Sequence, residues 1–242
     1  MDHSDLTARA CQELDEAGFT IVPGPVSVED LAHLRTAYDT AIASAAPDDV
    51  KVGSSTTRVR DFVNRGAEFD ALYLHAPVLD ACRRIINQPV RLSTMHARTV
   101  RSHLPAQNLH LDYERDIHGW TMVGFIFMVD EFRSDNGATR FVPGSHLWQS
   151  VPPYFPDDLK ADCPGQVLAC GPAGSMILFN GSVWHGHTAN YSGEPRRSIQ
   201  GAFIRRAAES GEDLPAGMLR ETLARISPLA KYLLAVPNAS AR

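Results

Sequence analysis

Residues 90–129 read VRLSTMHARTVRSHLPAQNLHLDYERDIHGWTMVGFIFMV, and within this stretch the chain settles into a strand period. Val90–Val100 and Thr121–Val129 are strand-length runs rich in β-branched and aromatic residues, and the second is too apolar to keep a solvent face. Between them Asn108–Tyr113 reads as a shorter strand. Working outward, further candidates are Thr139–Val142, Gln166–Ala169, Ser175–Phe179, Ser182–His187 and Arg197–Arg205. Asp135-Asn-Gly137, Pro143-Gly144, Gly171-Pro-Ala-Gly174 and Ser192-Gly-Glu-Pro195 supply turns between them. Short strands punctuated this way predict a mainly β fold with helical additions, its core a double-stranded β-helix, or cupin-like jelly roll, over about 90–206.

On either side the pattern is helical. Leu6, Ala10, Leu14 and Ala17 share one face of a helix over 5–17 that stops at Gly18. Phe19–Val22 is a short strand, and Ser27 and Asp30 open a helix running to about Ala45. A polar stretch follows from Pro47 to Thr57, then two short helices over 66–87, broken near Pro77. A helical tail covers 213–236. The whole chain, 1–242, is expected to be one domain, with its helical N-terminal part at about 5–87.

Bulk numbers narrow the function. Apolar residues make up 44% of the 242 residues, enough for a real core, and 23 Lys+Arg against 28 Asp+Glu argues against nucleic acid as a partner. No apolar run approaches the roughly 20 residues that cross a bilayer. The four cysteines form no CxxC or regular framework, and the N-terminus carries no basic region followed by an apolar run. A cytoplasmic protein acting on a small molecule is expected.

Chemistry starts at His110-Leu-Asp112. On a strand, residues i and i+2 project to one face, so imidazole and carboxylate would enter the same space. One more His would complete the two-His, one-carboxylate set that leaves metal positions open, as non-haem Fe(II) oxygenases require. Val183-Trp-His185-Gly-His187-Thr-Ala-Asn190 offers two, and parity alone does not choose between His185 and His187. Past the turn at Asn190 to Pro195, Arg196 or Arg197 would stand on a strand antiparallel to the histidine strand, within reach of a carboxylate-bearing ligand. Arg197 reads better as a surface residue. Tyr113, Glu114, Arg115, His118, Met95, His96 and Arg58 or Arg60 are candidate pocket residues, whereas Trp120 and Trp184 read as packing.

These elements together carry a resemblance. Gln107-x-x-His110-x-Asp112, then Asn136-Gly-Ala-Thr-Arg-Phe-Val-Pro-Gly-Ser-His146, then His185-Gly-x4-Asn190-x5-Arg196 resemble the phytanoyl-CoA dioxygenase family, in the branch of fungal alkaloid dioxygenases and bacterial relatives. Thr57-Arg-Val-Arg-Asp-Phe-Val-Asn-Arg65 and His75-Ala-Pro77 extend the likeness, which runs from about Phe19 to Arg206. The resemblance implies a role for each. His110, Asp112 and His185 would hold Fe(II), the spacing to Arg196 selecting His185 over His187. Arg196 would pair with the distal carboxylate of 2-oxoglutarate beside the Thr139 hydroxyl, and Gln107 would stand near its metal-chelating end. Asn136-Gly137 and Pro143–His146 would shape turns.

The expected activity is an Fe(II)- and 2-oxoglutarate-dependent dioxygenase consuming O2. It would hydroxylate or otherwise oxidise an unactivated C–H of a small organic molecule in natural-product metabolism, with succinate and CO2 as co-products. Asp112 sets it apart from halogenating members, which carry Ala or Gly there. Other classes to weigh are a non-catalytic jelly-roll metal or ligand binder, and a cupin-type metal-dependent isomerase or hydrolase, whose sites use more His and no distal Arg.

Overall fold

A computed structural model describes residues 6–237. Ten strands form two antiparallel sheets facing one another. In chain order they are β1 (Phe19–Pro23), β2 (Val50–Val52), β3 (Thr56–Val59), β4 (Val90–Val100), β5 (Met122–Met128), β6 (Thr139–Phe141), β7 (Val167–Ala169), β8 (Ser175–Asn180), β9 (His185–His187) and β10 (Arg196–Arg205). The large sheet runs β1-β8-β5-β10-β4-β3-β2 and the small one β7-β6-β9. This is the expected jelly roll.

Strand parity sorts the large sheet's residues between two environments. On β5, Val123, Phe125 and Phe127 join the main apolar cluster, while Met122, Ile126 and Met128 join a second one lying between the sheets. A strand buried on both faces has no use for polar alternation, which is why it reads as a continuous apolar run. The outer face is covered by α1 (Ala8–Glu16), α2 (Leu31–Ala43), α3 (Asp70–Tyr73) and α4 (Ala76–Ile85), and by the tail helices α5 (Leu214–Gly217), α6 (Arg220–Arg225) and α7 (Pro228–Leu233). Leu14, Leu34, Tyr38, Val78, Cys82, Ala230 and Leu233 carry that contact.

Several expectations are corrected. The helix read over 5–17 spans Ala8–Glu16, Thr7 capping it through Ala10 N–H, with residue 5 outside the described residues. The two short helices read over 66–87 are present as α3 and α4, the break near Pro77 falling at Leu74–His75 and Pro77 itself standing in the first turn of α4, where its missing N–H costs nothing. The helical tail is made of three short helices, the first and third carrying Pro215 and Pro228 in their first turns. The polar stretch Pro47–Thr57 contains β2 and part of β3, the exposed edge of the large sheet. Asn108–Tyr113 is not a strand. It meets β9 at a single bridge, His110 to His185.

Candidate metal centre

The segment 107–113 is held by backbone bonds on several sides. Gln107 N–H donates to His187 O at 3.0 Å, Leu109 N–H to Leu159 O at 2.8 Å, and Asp112 and Tyr113 N–H both to Gly181 O at 3.0 and 3.1 Å. His110 and His185 exchange N–H and C=O bonds, each 3.0 Å. Gly186 makes this approach possible: a Cβ there would lie 2.9 Å from Asn108 O. Buried Arg140 on β6 ties the segment down further, donating to the carbonyls of Gln107, Leu159 and Ala161.

This anchoring brings one ligand atom from each of His110, Asp112 and His185 within 4.8 Å of the others. The Asp112 carboxylate lies 3.7 Å from His110 Nε2 and 3.6 Å from His185 Nε2. Both imidazoles are oriented from behind, His110 Nδ1 against Asn108 O and His185 Nδ1 against Val183 O, each at 3.0 Å. Donation from Nδ1 leaves the Nε2 lone pairs facing inward, the arrangement metal-binding histidines use. Burial, with His185 beside it, pushes His110 down to about 4, so its ring is neutral at pH 7.

His187 stands apart, both ring nitrogens being engaged: Nδ1 at 2.7 Å from Thr188 O and Nε2 at 3.0 Å from Ser55 Oγ. No lone pair remains for a metal, and burial pushes it down to about 3. His146 is remote from the cluster, against Asp15 O.

Arg196, expected near the site, is on β10 and 2% exposed. Its Nη2 donates to Gly137 O at 2.7 Å and its guanidinium lies 3.8 Å above the Phe132 ring. Nε and Nη1 have no partner, and no described carboxylate forms an ion pair with it. Burial and nearby Arg98 push it down to about 9. A buried guanidinium with two idle donors is costly unless an anion completes it. Thr139, Gln107, Arg196 and the triad all line one cavity of about 480 Å³. Gln107 Nε2 approaches His110 Nε2 at 3.5 Å.

Of the other pocket candidates, Tyr113, His96 and Arg58 line the cavity. Glu114, Arg115 and His118 do not: Arg115 lies over Trp120. Arg60 pairs with Asp49, and Met95 points into the main core on the opposite face from His96. Arg197, read as a surface group, is clamped between Asp130 and Asp39 at 2.8 Å. Trp184 packs on Phe155, as expected of a packing residue. Arg98, Gln200, Ile126 and Phe179 line the cavity without having been singled out from sequence. For Arg98 a signal existed, since a charge two residues from His96 on so apolar a strand shares its face.

The family model described as phytanoyl-CoA dioxygenase (PhyH) matches residues 14–198. The multifunctional dioxygenase prhA of Penicillium brasilianum is 29% identical over 217 residues, covering 79% of this chain and 70% of that protein. The multifunctional dioxygenase ausE of Emericella nidulans is 26% identical over 239 residues, covering 88% and 78%. Among solved structures, HygX of Streptomyces hygroscopicus with nickel, 2-oxoglutarate and hygromycin B bound superposes with a TM-score of 0.70 at 17% identity, covering 86% of this chain and 90% of that one.

Proposed function

The chain belongs to the phytanoyl-CoA dioxygenase family, and from that membership we propose that it hydroxylates an unactivated C–H bond of a small natural-product-like molecule, with His110, Asp112 and His185 holding Fe(II). Arg196 grips the distal carboxylate of 2-oxoglutarate, Thr139 adds a hydroxyl beside it, and Gln107 attends the end nearest the metal. The observation that carries this is the idle Arg196 guanidinium, buried in the same cavity as the three metal-type ligands. The donor set fits the group: two inward-facing imidazoles and a carboxylate suit Fe(II) and leave positions open.

Iron with bound 2-oxoglutarate and O2 supplies the oxidising power for C–H cleavage, 2-oxoglutarate leaving as succinate and CO2. The protein's part is positional. Nδ1 donation keeps both rings aimed, Arg196 and Thr139 fix the co-substrate's far end, and the apolar second cluster keeps bulk water from the inner side. A non-catalytic metal binder has no use for a buried anion clamp. We further infer one catalytic domain, since helices from both ends of the chain share the main core. A cytoplasmic setting fits its four unpaired cysteines.

The test is direct. Anaerobic Fe(II) protein given 2-oxoglutarate should develop a visible charge-transfer band and, on exposure to O2, form succinate. A protein that binds Fe(II) yet shows neither would overturn the proposal.

A further inference from the structure

Beyond the triad and Arg196, the cavity holds a second, half-buried cation that no described carboxylate pairs with. Arg98 lies on β4, in register with Ser198 on β10 and with Arg58 on β3. Its Nη1 reaches Gln200 Oε1 at a long 3.3 Å, its Nε has no partner, and it makes no ion pair with any described residue. Beside it His96, 8% exposed, has Nδ1 against Thr94 Oγ1 at 3.1 Å and Nε2 unpartnered. Burial and neighbouring Arg58 push Arg98 down to about 10, so it stays charged at neutral pH.

The charge inside the cavity then needs one more anion. Fe(II), Arg98 and Arg196 bring four positive charges. Asp112, among the described residues the one acid lining the cavity, and the 2-oxoglutarate dianion answer three. The remaining charge sits on Arg98, because Arg196 takes the co-substrate's distal carboxylate. Arg58 stands outside this count, being exposed at the mouth where Glu212 feels its charge. A single leftover charge on a planar fork suits a carboxylate better than a dianionic phosphate. Farther along the same inner sheet face, past β10, the lining is apolar, formed by Met122, Ile126 and Phe179.

We propose that the substrate is an organic carboxylate, seated with its anion on Arg98 and its hydrocarbon part along the Met122–Ile126–Phe179 wall beside the metal triad. The inference rests on the oxygenase function proposed above and names the substrate class of that same cavity. Gln200 positions the Arg98 fork, and His96 Nε2 offers the carboxylate a second contact. Arg98 thereby acts as a specificity residue.

The probe is 3-phenylpropanoate, compared with its methyl ester. Each is titrated anaerobically into protein loaded with Fe(II) and 2-oxoglutarate, with heat read by calorimetry and the charge-transfer band followed in parallel. The wild type should bind the acid at least about tenfold more tightly than the ester, the band persisting throughout. Arg98→Met should bring acid and ester to within about threefold while keeping the band, and Arg98→Lys should restore part of the preference. The proposal is overturned if the wild type shows no preference, or if Arg98→Met keeps it. It is equally overturned if Arg98→Met loses the 2-oxoglutarate band, which would assign Arg98 to the co-substrate or to folding. Absence of the band in the wild type sinks the oxygenase function instead. Acid-over-ester preference on the unloaded protein, and its loss in Arg98→Met, then still judges the anion seat.

Discussion

At the residue scale, the choice between His185 and His187 turns on what each ring nitrogen already does. His185 keeps Nε2 facing Asp112, whereas His187 has spent both nitrogens on Thr188 and Ser55. His185→Ala should therefore abolish the 2-oxoglutarate charge-transfer band and succinate formation. His187→Ala should keep both and lose stability, by about 1–3 kcal/mol in urea unfolding, through the unsatisfied groups left behind. The reverse pattern would move the metal to His187. Arg196 makes a different claim. Arg196→Leu should raise the Kd for 2-oxoglutarate by about 30- to 150-fold, the weight of a buried charge-assisted pair of about 2–3 kcal/mol, with Fe(II) affinity nearly unchanged. Equal loss of both by calorimetry would refute the clamp. HxD and the His-to-Arg spacing were legible because each is a short local pattern. Arg98 could be read only as sharing a face with His96, and Gln200 not at all, since their pairing comes from β4 and β10 lying side by side, which no window of sequence displays.

At the element scale, the central strands were readable and the ligand-bearing segment was not. β4, β5, β8 and β10 advertise themselves by long apolar or alternating runs. Residues 107–113 have the composition of a strand, yet only His110 bridges to β9, and the remaining N–H groups go to Leu159 and Gly181. Such bonding to loops carries no periodic signature. β2 and β3 escaped notice for another reason: an exposed edge is made of polar and charged residues, which blunt it against pairing with other chains. The tightest contact in this region is the glycine between the two histidines of β9. Gly186→Ala would place a methyl 2.9 Å from Asn108 O, so the 107–113 segment must shift outward with His110 and Asp112. A loss of Fe(II) affinity of about tenfold or more is expected by metal titration, with circular dichroism unchanged, since small misplacements of ligands are costly. Wild-type affinity in that variant would show that the close approach does not set the metal geometry.

At the scale of the whole molecule, the large sheet divides the labour. Its outer face is buried under helices from both ends of the chain, and its inner face changes from apolar at β5 and β8 to cationic at β10, β4 and β3. Stability and chemistry thus draw on opposite sides of the same strands. Ligands that bind only the folded form must raise its apparent stability. Zn(II) with 2-oxoglutarate, each at about a hundred times its Kd, should raise the melting temperature by about 10–20 °C, corresponding to about 5 kcal/mol, roughly half from each. Arg196→Leu should lose the increment due to 2-oxoglutarate and keep that due to the metal. An unchanged melting temperature in the wild type would deny the metal centre.

The manner in which 107–113 is fastened has a consequence of its own. Two of the three proposed ligands, His110 and Asp112, ride on a segment outside both sheets, and the third, His185, is on β9, so an ion held there would stitch the segment to the barrel. Amide protons at Leu109, His110, Asp112 and Tyr113 should therefore exchange with deuterium faster in the empty protein than those of β5 or β10, and slow down together when the ion enters. Metal occupancy is then written into the opening rate of one short piece of chain.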